Sequence, residues 1–171
     1  MSNTVAMATT RFNIKTWGQN AKYRENNGYG GCIYGTPTQM PVSIKAEQNL
    51  FVFEMNNDAN IIMGIGLLKN RCKYEIKRIY SDMNYNRYIY KSPFRIDRYE
   101  IIEKYQSEIE EMENLLFKGK GHLKRGHGFT SINDKKKEQF NTNIGKTMYA
   151  FCEEIFSTKY NKNSQKIADT V

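Results

Sequence analysis

Cysteine and histidine are scarce in this sequence, and their scarcity excludes two kinds of protein. The three cysteines, Cys32, Cys72 and Cys152, lie far apart, and no two of them form a CxxC pair. An odd, scattered set argues against a disulfide framework and a zinc site, so we expect an intracellular, reducing compartment. The two histidines, His122 and His127, have no third histidine to complete a metal site. We therefore expect no metal and no cofactor.

Long apolar runs are also missing. No segment approaches the roughly 20 apolar residues that span a bilayer. The N-terminal residues MSNTVAMATT lack the basic-then-apolar pattern of a signal peptide. We expect no membrane association. At 171 residues the chain fits a single domain that can bury a core without disulfides or metal.

Positive charge is what the sequence has in excess. The chain carries 26 Lys and Arg against 18 Asp and Glu, a formal net charge of +8. This balance favours a polyanionic partner such as nucleic acid, although an AT-rich genome would also raise the Lys and Asn content. The charge is clustered, because residues 69–98 hold nine Lys or Arg, three acids and five tyrosines. Cations beside flat aromatic rings favour nucleic acid over most small metabolites.

The hydrophobic pattern predicts a β-rich first part and a helical second part. Apolar residues 50–55 and 61–68 flank the polar turn 56–60, which is typical of two paired strands. Less regular patterns predict further strands over 11–17, 42–48, 73–80 and 85–90, and a turn region over 32–41. Apolar residues spaced by three and four predict two helices, over 98–117 and 134–156.

These elements predict one α+β domain. A small, curved β-sheet or open β-barrel occupies residues 11–97, and two C-terminal helices over residues 98–157 lie against it. Residues 1–10 and 158–171 are predicted to be flexible tails, because they are polar and terminal. The sequence leaves the oligomeric state open.

A glycine-rich basic segment, residues 118–128 (KGKGHLKRGHG), connects the two predicted helices. Glycines let backbone N–H groups approach an oxyanion, and the neighbouring cations supply charge. The GxxxxGK[ST] order of a Walker A loop is absent. The segment therefore predicts either phosphate contact or a solvated basic connector. Its phosphate-binding candidates are Lys118, Lys120, Lys124 and Arg125.

Aromatic residues supply candidates for stacking a base. The single tryptophan, Trp17, forms either one wall of a base pocket or part of the core. The other base-binding candidates are Tyr34, Tyr85, Tyr88 and Tyr90, which core packing would explain equally well. The cations near these rings are candidates for phosphate contacts, namely Lys15, Arg87, Lys91 and Arg95.

With these residues in view, the chain resembles the PUA-like superfamily, in particular its EVE and YTH branches. RFNIKTW is similar to an opening strand that leads into a pocket-lining loop, and NLFVFEMN with IMGIGLLKN is similar to a central strand pair. The resemblance implies a PUA-like fold and an aromatic pocket that reads a modified base, with Trp17 as one wall. The blocks NYNRYIYK, FRIDRYE and LLFKGKGHLKRGHG also resemble a family carried by large double-stranded DNA viruses. That likeness implies a location in the host cytoplasm or the virion.

The leading expectation is a non-catalytic nucleic-acid-binding protein, with RNA preferred over DNA. One alternative is a structural virion component that bridges acidic partners of virion or host origin, with the apolar face of residues 98–117 as its contact surface. A second alternative is an enzyme that processes nucleic acid. It would need a cluster of carboxylates or histidines in space, whereas the acids are concentrated on the exposed face of the helix over 98–117. We therefore predict no catalytic residue.

Overall fold

A computed structural model describes residues 4–168 and shows an α+β fold. The strands are β1 (Ala6–Phe12), β2 (Cys32–Thr36), β3 (Asn49–Asn56), β4 (Ile61–Lys69), β5 (Tyr88–Ser92), β6 (Phe94–Asp97) and β7 (Thr130–Ser131). The helices are α1 (Ile14–Asn26), α2 (Arg98–Phe117), α3 (Asp134–Ile144), α4 (Met148–Tyr160) and α5 (Ser164–Ala168). A short 3₁₀ helix, Met83–Asn86, precedes β5.

Five strands form a mixed sheet in the order β6-β4-β3-β1-β7, and β2 pairs with β5 in a separate antiparallel sheet. Among the strands of residues 4–168, only β1 and β3 pair in parallel, and their connection contains α1 and β2. The strands of the described residues do not close into a barrel. The α+β class is therefore confirmed, with two sheets where the sequence predicted one curved sheet or open barrel.

The central hairpin was predicted correctly and divides the core in two. β3 and β4 pair antiparallel, and every residue of β3 is buried. Alternate side chains leave opposite faces of the strand, so Phe51 and Phe53 pack toward the helices while Leu50 and Val52 pack toward β2 and β5. Burial on both faces explains why this strand appears as a continuous apolar run.

Both predicted tails contain structure that packs into the domain. β1 starts at Ala6 and lies between β3 and β7, so the tail prediction is wrong for residues 6–10. This strand was not predicted because it contains small and polar residues such as Ala8 and Thr9, although both are fully buried. At the other end, α4 continues to Tyr160 and α5 buries Ile167, so the tail prediction is wrong there too. Residues 1–3 and 169–171 lie outside the described part of the chain.

The first predicted strand, residues 11–17, is wrong after Phe12. The side chain of Asn13 accepts from the backbone N–H of Thr16, and the Thr16 hydroxyl accepts from the Asn13 N–H, which makes a capping box. α1 therefore begins at Ile14, and Trp17 lies on a helix. Phe12 and Ile14 alternate with polar residues as in a strand, although the boundary between β1 and α1 lies between them.

Three other β predictions need correction. Residues 42–48 and 73–80 form turns and irregular chain, whereas β2 lies in a region predicted as turns. Of the predicted strand 85–90, only the part from Tyr88 is a strand, since a 3₁₀ helix occupies Met83–Asn86. The buried side chain of Asn86 accepts from the backbone N–H groups of Ile79 and Tyr80, which holds this irregular segment in place.

Between Arg98 and Ala168 the structure describes four helices, whereas the sequence predicted two. α2 has the predicted bounds and begins with a capping box between Asp97 and Glu100. The predicted helix 134–156 is interrupted at Gly145, whose φ of 86° ends α3, and Thr147 then caps α4. Within residues 4–168, no helix has both the length and the apolar composition needed to cross a membrane.

Candidate nucleic-acid interface

A pocket of about 160 Å³ lies where β1 ends and α1 begins, and we call it the β1 pocket. Phe12 and Asn13 line it from the β1–α1 junction, and Tyr80 and Tyr85 line it from the tyrosine-rich segment. The glycine-rich basic segment contributes Lys124, Gly126, His127 and Gly128. Two features that lie about 40 residues apart in the sequence therefore meet at one pocket.

The aromatic wall of the β1 pocket is fixed by contacts with neighbouring residues. Tyr80 and Tyr85 meet edge to face, with ring centroids 6.3 Å apart. The side-chain amide of Asn20 donates to the Tyr80 hydroxyl at 2.9 Å, and burial raises the pKa of Tyr80 to about 12. A Cβ on Gly35 would lie 2.3 Å from the Tyr85 carbonyl oxygen, so glycine lets the wall approach β2. Tyr80 is only 2% exposed, so it supports the wall as a rigid, neutral ring, and the half-buried Tyr85 supplies the accessible ring.

Arg11 fixes the glycine-rich basic segment over the pocket. Its guanidinium donates to the carbonyl oxygens of Leu123, Gly126 and Gly128 at 3.1, 3.2 and 2.9 Å, and to the Thr130 hydroxyl at 2.8 Å. Gly126 and Gly128 have φ values of 100° and 69°, which glycine adopts without strain. The segment is therefore an ordered wall.

Asn57 lines the pocket and carries an unpaired acceptor. Its side-chain N–H donates to the Lys124 carbonyl oxygen at 2.8 Å. Oδ1 is buried and has no hydrogen-bond partner among the described residues. An unpaired buried acceptor costs free energy, so a donor that reached this atom would be stabilised.

The N-terminus of α1 is already satisfied by protein groups. The Asp58 carboxylate accepts from the Ile14 backbone N–H at 2.7 Å, and Asn13 accepts from that of Thr16. This end of the pocket is therefore unsuited to an anion. The available cations are Lys124, which lines the pocket, with exposed Lys15 on the first turn of α1 and exposed Arg125 beside Lys124.

The predicted base-binding residues are not gathered at one place. Tyr85 lines the β1 pocket, whereas Trp17 touches it indirectly, through an edge-to-face contact with Phe12 at 5.2 Å. Tyr34 is wrong as a pocket wall, because it is 1% exposed and its hydroxyl donates to Glu54 at 2.6 Å. Burial and the neighbouring Glu54 charge raise the pKa of Tyr34.

Tyr88 and Tyr90 lie elsewhere, on one face of β5. Together with exposed Tyr74 they line a separate cavity of about 220 Å³. Tyr90 is buried against Phe129, and its hydroxyl accepts from the Met40 backbone N–H at 3.3 Å. Tyr90 is therefore mainly a core residue. Neither Tyr88 nor Tyr90 lines the β1 pocket with Tyr85.

Arg95 is wrong as a phosphate contact, because its guanidinium is buried against protein carboxylates. It donates to Glu54 at 2.6 and 2.9 Å and to Asp97 at 2.9 Å. Burial alone would lower the pKa of Arg95, but the Glu54 charge and hydrogen bonds outweigh burial and raise it. Glycines of β4 make room for this network: a Cβ on Gly64 would lie 2.6 Å from Arg95 Nη2, and one on Gly66 would lie 2.5 Å from the Tyr34 hydroxyl oxygen.

The other predicted phosphate contacts remain accessible to solvent. Lys91 is half-buried, with its Nζ 4.4 Å from the ring centre of Tyr29, and Lys124 is half-buried at the β1 pocket. The fully exposed candidates are Lys15, Arg87, Lys118, Lys120 and Arg125.

Most residues that line the β1 pocket were not predicted from the sequence, and four of them have polar or aromatic side chains that matter for binding. Arg11, Asn57 and Tyr80 were not chosen, because their roles depend on contacts with chain segments far away in sequence. His127 was considered only for catalysis or metal binding, and it lines the pocket from the glycine-rich segment.

Two observations concern the alternative functions. Residues 4–168 contain no group of three or more His, Cys, Asp or Glu side chains that could hold a metal ion. The apolar face of α2 is covered in part, because Ile109, Met112 and Leu116 are buried in the core, whereas Ile102 is 37% exposed. The contact surface expected for a structural protein is therefore limited to the exposed part of this face.

No family model matches the chain, and no curated protein or solved structure is significantly similar to it.

Proposed function

We propose that this protein is a non-catalytic nucleic-acid-binding protein that takes one base into the β1 pocket, with RNA preferred over DNA. The observation that carries the proposal is the meeting of an aromatic wall with the glycine-rich basic segment at one pocket. Aromatic rings stack on bases of any sequence, while cations bind the backbone.

The size of the pocket supports one ring as its occupant. About 160 Å³ is smaller than the roughly 300–1,000 Å³ of sites that hold drug-sized ligands. A single base enters such a space, and its sugar and phosphate then remain outside, near Lys124, Arg125 and Lys15. Single-stranded RNA presents unstacked bases that proteins splay out and stack on aromatic side chains, which is the reason for preferring RNA.

Asn57 supplies a means of reading the base. Its unpaired Oδ1 accepts a hydrogen bond from a base amino or imino group, after a small adjustment that exposes this buried atom. A base that lacks such a donor leaves the acceptor unsatisfied and binds less tightly.

The resemblance to the PUA-like superfamily belongs to this proposal. It implies an opening strand that leads into a pocket-lining loop, and Phe12 at the end of β1 and Asn13 after it line the pocket. Recognition of a modified base, and a host-cell or virion location, follow from the resemblances alone.

Fluorescence anisotropy tests the proposal. Labelled single-stranded RNA and DNA of one sequence, with and without methylation at adenine or cytosine, are titrated across a salt series. We expect RNA to bind more tightly, and log K to fall linearly with log salt concentration as counterions are released. Tyr85→Ala should weaken binding about tenfold, the lower part of the range for one lost stacking contact.

The matched control is Tyr99→Ala, because Tyr99 is 65% exposed on α2 and does not line the β1 pocket. It should bind as the wild type does. A flat salt response, or equal affinities for Tyr85→Ala and Tyr99→Ala, contradicts the proposal.

A further inference from the structure

A second basic cavity, of about 410 Å³, lies between the C-terminus of α2 and the N-terminus of α3. Lys118, Lys135 and Lys136 line it, and none of its described lining residues is acidic. The first half of the glycine-rich basic segment reaches this cavity through Gly119 and Gly121. The segment therefore serves two separate cavities, one with each half.

Lys136 is the unusual residue of this cavity, because its positive charge is buried without a carboxylate. The residue is 9% exposed, and its Nζ donates to the Leu115 carbonyl oxygen at 2.9 Å. Among the described residues no acidic side chain forms an ion pair with it, and nearby Asp134 pairs with Lys137 instead. One carbonyl uses one of the three N–H donors of the ammonium.

The surroundings of this ammonium disfavour a positive charge. Burial, followed by the neighbouring charge of Lys135, lowers the pKa of Lys136. Gly121 leaves space beside Nζ, since a Cβ at this position would lie 3.2 Å from that atom. A buried charge is costly unless it is paired, so an anion in the cavity would remove a cost that the protein alone leaves uncompensated.

We propose that this cavity binds a phosphate-type oxyanion, held by the ammonium groups of Lys118, Lys135 and Lys136. Three cations and no acid suit a group with at least two negative charges, and lysine binds phosphate as a point charge. The source is either a backbone phosphate of a bound strand or free inorganic phosphate. The inference does not depend on the β1 pocket, because none of the three lysines lines that pocket.

Isothermal titration with inorganic phosphate, at constant ionic strength maintained with sodium chloride, tests the inference. We expect saturable binding to the wild-type protein. The side chains of Lys118 and Lys135 are exposed and make no hydrogen bond to other residues that the structure describes, so the double variant K118Q/K135Q should fold. Its phosphate Kd should rise at least tenfold. The matched control is K45Q/K104Q, two exposed lysines outside the cavity, which should bind phosphate as the wild type does.

A second readout follows Lys136 itself. Phosphate should raise the pKa of the Lys136 ammonium, measured by the ¹⁵N resonance of Nζ, because an anion favours the charged form. If the wild type shows no saturable binding, or if K118Q/K135Q binds as tightly as K45Q/K104Q, the inference is overturned.

Competition identifies the source. A single-stranded RNA that displaces inorganic phosphate places a backbone phosphate in the cavity, and simultaneous binding assigns the cavity to free phosphate. Tyr85→Ala should leave phosphate binding unchanged. Failure of the base pocket and failure of the oxyanion site are therefore observed separately.

Discussion

Arg95 and Glu54 form an ion pair inside the protein, with Nη2 of Arg95 2.6 Å from Oε1 of Glu54. The two side chains are only 5% and 2% exposed. Tyr34 donates to the same carboxylate, and Arg95 also reaches Asp97. The network connects β3 with β2 and β6, and therefore joins the two sheets. Arg95, which was predicted to contact a phosphate, instead stabilises the fold.

Glu54→Gln should destabilise the fold strongly. Removing the carboxylate charge leaves the buried Arg95 with only the partly exposed Asp97 as an ion partner, and breaking a buried pair in this way costs about 3–5 kcal/mol. Urea unfolding measures the loss. The control is Glu47→Gln, which breaks the exposed pair with Arg71 and should leave the unfolding midpoint unchanged. Equal midpoints for the two variants would show that the buried pair does not hold the fold.

Alanine at Gly66 and at Gly18 should have opposite effects on stability. A Cβ at Gly66 would lie 2.5 Å from the Tyr34 hydroxyl oxygen and 2.8 Å from the Cys32 sulfur, and overpacking a core costs about 1–3 kcal/mol. Gly18 lies within α1 with nothing within 4 Å of its Cβ position. Alanine there should stabilise the protein by about 0.5–1 kcal/mol. Thermal unfolding of both variants checks the sign, and a stabilised Gly66→Ala protein would refute the close approach.

Stability should fall at alkaline pH. Burial raises the pKa of Cys32 from 9.0 to about 12 and that of Tyr80 from 10.0 to about 12. Since the folded state keeps these protons after the unfolded chain loses them, their contribution is complete below pH 9. It is lost between pH 9 and 12, by about 1.4 kcal/mol per pH unit for each titrating group.

Denaturant unfolding at pH 8, 9, 10 and 11 measures this loss. Cys32→Ala should lose stability less steeply than the wild type between pH 9 and 10, because Tyr80 begins to contribute only above pH 10. Identical slopes in this interval would mean that the Cys32 thiol is not protected from titration by the fold.

Arg11→Met should loosen the glycine-rich basic segment while the rest of the fold persists. The side chain provides hydrogen bonds to three carbonyl oxygens of residues 123–128, and methionine provides none. We expect faster amide hydrogen exchange over residues 121–128 and weaker RNA binding. Lys104→Met, at an exposed position of α2 outside the pocket, is the control. Unchanged amide hydrogen exchange over residues 121–128 in Arg11→Met would show that Arg11 does not position this segment.

Lys124→Gln should change the salt dependence of RNA binding in a defined way. One phosphate contact contributes about 0.7 to the slope of log K against log salt for a single strand, so the slope should become shallower by about that amount. The weakening should be similar for all RNA sequences, because phosphate contacts carry no sequence information. The control, Lys104→Gln, should keep the wild-type slope. If Lys124→Gln also keeps that slope, Lys124 does not contact a phosphate.

The sequence predicted the elements with a clear apolar pattern. The β3–β4 hairpin was predicted because two apolar runs flank a polar turn, and α2 because its apolar residues follow the period of a helix. The first half of β1 was not predicted as a strand, because its buried residues Ala8, Thr9 and Thr10 have the composition of a polar tail. β1 lies inside the sheet with one core cluster on each face, so its side chains are buried whatever their polarity.

The candidate site was predicted in part. Tyr85 and Lys124 were chosen for their chemistry, and both line the β1 pocket. The bonds from Arg11 to Gly126 and from Asn57 to Lys124 join residues 115 and 67 positions apart, and no local pattern predicts such contacts. One signal for Arg95 was present, because a carboxylate such as Glu54 within an apolar strand requires a buried cation.

The most direct test of the account is to locate bound RNA on the protein. Amide chemical shifts of ¹⁵N-labelled protein, recorded with a short single-stranded RNA at low salt, report which residues respond. We expect a footprint that includes residues 10–16, 80–85 and 124–128, and its midpoint should require about tenfold more RNA in Tyr85→Ala. Shifts confined to the separate cavity of Tyr74, Tyr88 and Tyr90, or no shifts at saturating RNA, would contradict it.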